Sequence, residues 1–261
     1  MELYQHFRPD EKPFIDELLE WAADVKERYV PRRSDFLDPR RQYITEAVIG
    51  DDEEVKISLS GGSPHAERKR LLLLPRYHDP DDVDYGLTLF SVDYPEKFAS
   101  IGHRDLLGSL MNLGVKREKF GDLLLKDGQV QFVVAEEIAS YVELNLTKVG
   151  NSPVKLERIP LAEILSVPKI WREQSGTVSS LRLDAVLAEI YHLSRTKSSQ
   201  WIQRERVKVN WKTVGQPAYV LEAGDELSVR GKGRSKLIAV EGQTKKGKWR
   251  ILTGTPDENQ H

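Results

Sequence analysis

Apolar side chains recur along this chain with two periods, one near 3.6 and one of 2, and the changes of period mark out its elements. Between residues 9 and 30, Phe14, Leu18, Trp21, Ala22 and Val25 recur at spacings of three and four, with acids and lysines between them. That pattern predicts an amphipathic helix, which Pro31 ends. Ser34-Asp35 precedes a second helical stretch from Pro39 to Ile49, stopped by Gly50 and the acidic run Asp51 to Glu54. Val55 to Leu59 alternates like a half-buried strand, and Gly61-Gly62-Ser63-Pro64 is a turn. A short helix and the strand Leu71 to Leu74 complete a small α/β domain over 1–75.

Residues 76–165 have a clearer order. Leu87, Leu89 and Ser91 to Tyr94 predict a strand, and His103 to Leu113 a helix closed by Gly114. Asp122 to Leu125 and Val130 to Val134 flank Asp127-Gly128, a hairpin signal between apolar runs. Glu136 to Val149 reads as a helix and Val154 to Leu161 as a last strand. The order β-α-β-β-α-β is ferredoxin-like, an arrangement that serves RNA-recognition modules and enzymes alike. Residues 166–180, with Pro168, Gly176 and several serines, read as a linker, although Lys169-Ile170-Trp171 is strand-like. The whole predicts an α+β protein of three small domains, the third spanning 181–255 and ending in a C-terminal hairpin.

In that third domain Leu183, Val186, Leu187 and Ile190 form a helical stripe. Ser194 is placed to cap a second helix. Arg195 and Lys197 fall in its first turn, where the helix dipole disfavours cations unless an anion faces them. Val207 and Val209 point one way and Lys208 and Asn210 the other, and the same alternation puts Leu227 and Val229 inside and Arg230 outside. Gly231 to Lys236 reads as a flexible basic loop.

Charge changes the picture. The chain of 261 residues has a formal net charge of −2, which argues against a polyanionic partner. From Gly176 to His261, however, fifteen bases face nine acids, a net of +6, and −8 is left for the remainder. Such asymmetry points to nucleic-acid binding by the basic part. The longest unbroken apolar run is Leu71 to Leu74 and the first residues hold no signal-peptide core, so no membrane partner and a cytoplasmic location are expected. There is no cysteine, which removes disulfides, thiolate metal sites and cysteine nucleophiles.

Several spacings agree at once in the basic part: Leu181-Arg182-Leu183-Asp184 with Leu187, Leu193-Ser194-Arg195, Ile202, Val207 to Asn210, Gly224-Asp225 and Val229 to Arg234. Over roughly 181–236 this resembles the S-four RNA-binding domain. Glu205 and Trp211 stand where that domain usually has glycine. The chain as a whole is similar to the YlmH family of bacterial cytoplasmic proteins, through Ser34 to Pro39, Ile101 to Asp105 with Leu107-Gly108, Leu113-Gly114, Arg117, Gly121-Asp122 and Val209 to Lys212. The resemblance implies RNA binding on the large ribosomal subunit, in quality control of stalled subunits that carry peptidyl-tRNA. The expected partners are therefore rRNA and tRNA, with no cofactor and no small-molecule substrate.

The expected phosphate contacts are Arg195, Lys197, Lys208, Lys212, Arg230, Lys232 and Arg234. Ser194, Ser198 and Asn210 could give shorter hydrogen bonds, Arg182 and Asp184 lie at the edge of the same surface, and His103 and Arg104 are a second candidate contact. Two other classes compete with a binding protein. Arg182-Leu183-Asp184 imitates the catalytic tripeptide of pseudouridine synthases, which would make the protein an rRNA-modifying enzyme. Only 77 residues follow Asp184, too few for such a catalytic domain. A cell-division adaptor is the other alternative. Ile101-Gly102-His103 is half of a synthetase signature without its partner loop, and no two of the six histidines have metal-ligand spacing. Neither a catalytic residue nor a metal site is expected.

Overall fold

The computed structural model describes residues 7–50, 52–96, 100–167 and 171–256. The chain forms two compact units that part between residues 168 and 169. The expected strand at Lys169-Ile170, the Pro168 of the linker, Asp51 of the acidic run, and His6 and His261 lie outside the described residues.

The first unit opens with helix α1 (Lys12–Arg28), which buries Phe14, Ile15, Leu18, Ala22 and Val25. It ends at Tyr29, whose φ of 57° takes the chain out of the helix two residues before Pro31. Strand β1 (Arg32–Leu37) follows, then α2 (Pro39–Ile49), capped by the Asp38 carboxylate accepting from the Arg41 amide at 2.9 Å. Strands β2 (Val55–Ser60) and β3 (Lys69–Pro75) complete an antiparallel sheet in the order β1-β3-β2. Central β3 is buried from Arg70 to Pro75. One strand was not anticipated here and one expected helix is absent. Ser34 to Leu37 is a strand, hidden from a period-2 reading by a register shift between Arg33 and Phe36. No helix precedes β3, because Ser63 to Arg68 form turns and bends.

The middle domain runs β4 (Leu87–Asp93), α3 (His103–Met111), β5 (Phe120–Lys126), β6 (Gln129–Ala135), α4 (Glu136–Asn145) and β9 (Lys155–Ile159). A two-strand insert, β7 (Lys148–Val149) and β8 (Ser152–Pro153), stops α4 before the expected Val149. The sheet order is β5-β6-β4-β9, all antiparallel. Asp127 and Gly128 both have positive φ, the geometry a two-residue hairpin requires. One sheet face packs Phe90, Phe132 and Val134 against Leu106 and Leu110 of α3 and Ala139 and Val142 of α4.

The opposite face is not open. Leu89, Val133 and Ala135 pack on Phe36 of β1, which is fully buried, and Leu87, Ile159, Leu161 and Ile164 close around them. A methyl group added at Gly121 would lie 2.8 Å from the Phe36 ring and 3.1 Å from Val133, so the two domains touch without slack. Polar bonds lock this seam. The Arg70 guanidinium donates to the Ser34 carbonyl (2.7 Å), the Gly86 carbonyl (2.9 Å) and both oxygens of Glu137 (3.1 Å each). Lys119 bridges Glu137 and Asp35. Asp122 accepts from the Glu67 and Arg68 amides at 2.7 and 2.9 Å, while Arg68 donates to the carbonyls of Phe120 and Phe36.

The second unit is built on one six-stranded sheet. In sequence it runs β10 (Trp171–Val178), α5 (Leu183–Ile190), α6 (Arg195–Gln203), β11 (Val207–Val209), β12 (Lys212–Thr213), β13 (Glu226–Val229), β14 (Gly233–Gln243) and β15 (Trp249–Pro256). The strand order is β10-β15-β14-β13-β11-β12. The linker expected over 166–180 is corrected from Trp171 onward, because β10 pairs with β15 along its whole length. Its serine and glycine content misled the reading, since an edge strand needs few apolar residues when only Val178 is buried. The flexible loop expected at 231–236 is likewise a strand from Gly233, in register with β13. Helices α5 and α6 cover one face through Leu183, Val186, Leu187 and Ile202.

Candidate nucleic-acid interface

The two helices of the second unit begin side by side, held by one buried carboxylate. Asp184 is 4% exposed and accepts from Arg182 and from Arg195 at 3.1 Å each. Burial works to raise its pKa, but the hydrogen bonds from Arg182 and Arg195 outweigh it and leave the carboxyl below the usual range. Asp184 is therefore a positioning residue rather than a direct contact. It fans two guanidiniums whose outer edges stay in solvent, with side-chain exposures of 41% and 52%.

Ser194 caps α6 as its sequence position predicts, accepting from the Lys197 amide at 3.2 Å. Arg195, Thr196 and Lys197 of that first turn are exposed. Ser198 is corrected: it is fully buried and its hydroxyl donates to the Ser194 carbonyl at 3.3 Å, so it closes the turn instead of meeting a ligand. Lys197 lies 5.9 Å from the Trp201 ring, one helical turn on, and Arg206 lies 5.9 Å from the same ring.

The sheet face away from the helices gathers the remaining cations. Register places Thr213, Lys208, Ser228 and Arg234 in one row across β12, β11, β13 and β14. One step along, the Arg230 amide donates to the Arg206 carbonyl at 2.9 Å and the Arg206 guanidinium to the Arg230 carbonyl at 3.1 Å. Lys208 and Arg234 thus face the same way with Ser228 between them, while Arg206 and Arg230 lie opposite each other just beyond the ends of β11 and β13, with the Arg206 guanidinium also near Trp201 of α6. Lys232, exposed on the β13–β14 turn, borders this group.

Two expected contacts separate from this group. Lys212 pairs with inward-facing Val209, so its side chain leaves on the other face from Lys208. The Asn210 amide is spent inside the fold, donating to Asp225 at 2.8 Å and accepting from the Glu226 amide at 2.9 Å. Asn210 and Trp211 form the β11–β12 turn with φ of 47° and 64°, and the Trp211 ring lies 5.6 Å from the Arg234 guanidinium. Arg206 and Trp201 were not singled out in the sequence. The signals were there: Arg206 shares the strand parity of Lys208, and Trp201 stands four residues after Lys197.

His103 and Arg104 are exposed at the start of α3, beside Gly102, whose amide donates to Asp105 at 3.2 Å. They belong to the first unit, and residues 80–163 carry nine bases against fourteen acids. Among the described residues no cluster of histidines and carboxylates could hold a metal, and no helix is long and apolar enough to cross a membrane.

A helix pair pinned at its start, set on a sheet whose outer face is cationic, defines an RNA-binding module, and residues 181–227 match the family model "S4 domain". Residues 80–163 match the model described as "Putative RNA-binding domain in YlmH", and residues 10–78 match "YlmH, N-terminal". The chain belongs to the YlmH family. It is 47% identical over 251 residues to the "Ribosome-associated protein quality control protein P2" of Bacillus subtilis (strain 168), covering 96% of this chain and 97% of that relative. A solved structure titled "Cell division protein ylmH from Streptococcus pneumoniae" is similar with a TM-score of 0.54 and 30% identity, over 62% of this chain and 99% of that one.

Proposed function

We propose that this protein binds structured RNA of the large ribosomal subunit, rRNA together with tRNA, as a binding factor rather than a catalyst. It would act in the cytoplasm, on stalled subunits that carry peptidyl-tRNA. The observation that carries the reading is the cluster of cations formed by Lys208 and Arg234 on β11 and β14 with Arg206 and Arg230, which stand opposite each other at the adjoining strand ends. Like charges at cross-strand distance repel, and a phosphate backbone removes that cost while releasing its own counterions. The relative in Bacillus subtilis, matched end to end, supports the ribosomal setting.

The contacts proposed are Arg182, Arg195, Lys197, Arg206, Lys208, Arg230, Lys232 and Arg234. Asp184 holds two of them in place, and Ser194 fixes the turn that presents Arg195 and Lys197. The test is the salt dependence of binding to large-subunit rRNA. With about five phosphates neutralised, log affinity falls against log salt with a slope of roughly −3.5 to −4.5. Arg195→Ala/Lys197→Ala weakens binding and makes the slope shallower by about 1.5. A flat salt response in the unsubstituted protein would overturn the reading.

A further inference from the structure

The positive charge of the second unit is not where its family match lies. Residues 181–227 hold seven bases and six acids, whereas residues 228–250 hold eight bases and a single acid, Glu241. Four of those eight, Lys245, Lys246, Lys248 and Arg250, sit at the tip and descending arm of the β14–β15 hairpin, and all four are exposed. No ion pair joins any of them to a carboxylate among the described residues.

The tip is a shaped element. The Thr244 amide donates to the Lys248 carbonyl at 2.7 Å, and the Gly247 amide to the Thr244 carbonyl at 2.9 Å. The Lys248 amide donates to the Thr244 hydroxyl at 3.1 Å. Gly247, with φ of 73°, makes the return. The base is anchored by half-buried Trp249, which packs on the unit's core and pairs with Gln243 on one side and Val178 on the other. The hairpin therefore gathers four like charges on a strand-paired stem, where an unpaired lysine run would spread them apart.

We propose that this hairpin tip is a second, separate RNA contact that grips a phosphate backbone through Lys245, Lys246, Lys248 and Arg250. The proposal rests on the RNA-binding reading and deepens it. Strand β14 is eleven residues long, from Gly233 to Gln243, and ten steps of about 3.3 Å carry it roughly 30 Å. The tip thus meets phosphates well away from those facing Lys208 and Arg234. Two grips at that separation favour folded RNA, whose distant strands are held at a set distance, over a short single strand.

The experiment uses the full chain with bacterial large-subunit rRNA and compares it with Lys245→Ala/Lys246→Ala/Lys248→Ala and the matching triple Lys→Arg variant. The alanine variant is expected to keep its melting temperature, bind tenfold or more weaker at low salt, and show a slope shallower by about 2. The arginine variant is expected to restore both. A 10-nucleotide single strand is expected to bind all three alike. If the unsubstituted protein binds rRNA and the alanine variant matches it in affinity and slope, the proposal falls and the RNA reading stands. If the unsubstituted protein shows no salt-sensitive binding, both fall. Loss of binding to phosphatidylserine vesicles with rRNA binding unchanged would assign the tip to a lipid surface and overturn the proposal.

Discussion

Glu205 and Trp211 stand where the S-four resemblance leads one to expect glycine, and the backbone at both takes the conformation glycine favours. Glu205 has φ of 54° where α6 gives way to β11, and Trp211 has φ of 64°. A side chain in the left-handed region costs roughly 1 kcal/mol that glycine does not. Glu205→Gly is therefore expected to raise stability by about 0.5–1 kcal/mol in urea unfolding, and no gain would mean that contacts of the Glu205 side chain offset the strain. Trp211 repays its strain differently, by lying against Arg234. The sequence exposed both positions through motif spacing alone. It could not show that Ser198 is buried or that Asn210 is occupied. Their partners are the Ser194 carbonyl and Asp225, and only the folded turn brings those within reach.

At the level of elements, helices with a clean 3.6 period (α1 and α5) or a cap signal (α3 and α6) were legible, and so were strands bounded by a turn signal, such as β5 and β6. What failed were strands whose pairing decides their fate. β1 carries a bulge, and β10 lies at a sheet edge with little to bury. The resemblance residues found a role that the sequence did not suggest. Ser34, Asp35, Phe36, Arg117, Gly121 and Asp122 all lie in or beside the seam between the first two domains. Gly121→Ala drives a methyl group into Phe36 and Val133, and is expected to cost about 1–3 kcal/mol in chemical denaturation. A loss below ~0.5 kcal/mol would show that the seam can give way.

Across the whole molecule, the seam makes the first two domains respond to acid together. Burial works to raise the pKa of Glu137, but hydrogen bonds from Lys119, its own amide and Arg70 hold it at about 2. A carboxyl depressed in the folded state stabilises that state above its unfolded pKa of about 4.3 and loses the contribution as pH falls toward 2. The first unit is therefore expected to melt at progressively lower temperature between about pH 4.5 and pH 2. Glu137→Gln is expected to lower the melting temperature at pH 7, because Arg70 stays buried with its neutralising partner gone, and to flatten the decline in acid. An identical acid profile in the variant would remove Glu137 from this account. Charge follows the same division of labour: the acidic first unit spends its ion pairs on itself, while the second leaves its cations facing outward.

The pairing of β10 with β15 has one more consequence. Trp171 stands opposite Pro256, so the chain enters and leaves the second unit at neighbouring points about 5 Å apart. Such a module is transplantable: a host loop can accept it without being stretched, and its ends can be joined by a few residues and the ring opened elsewhere. Pulled apart by those same ends, it would unzip one pair at a time, beginning with Trp171 and Pro256, and once Val178 had parted from Trp249 the load would pass directly to α5.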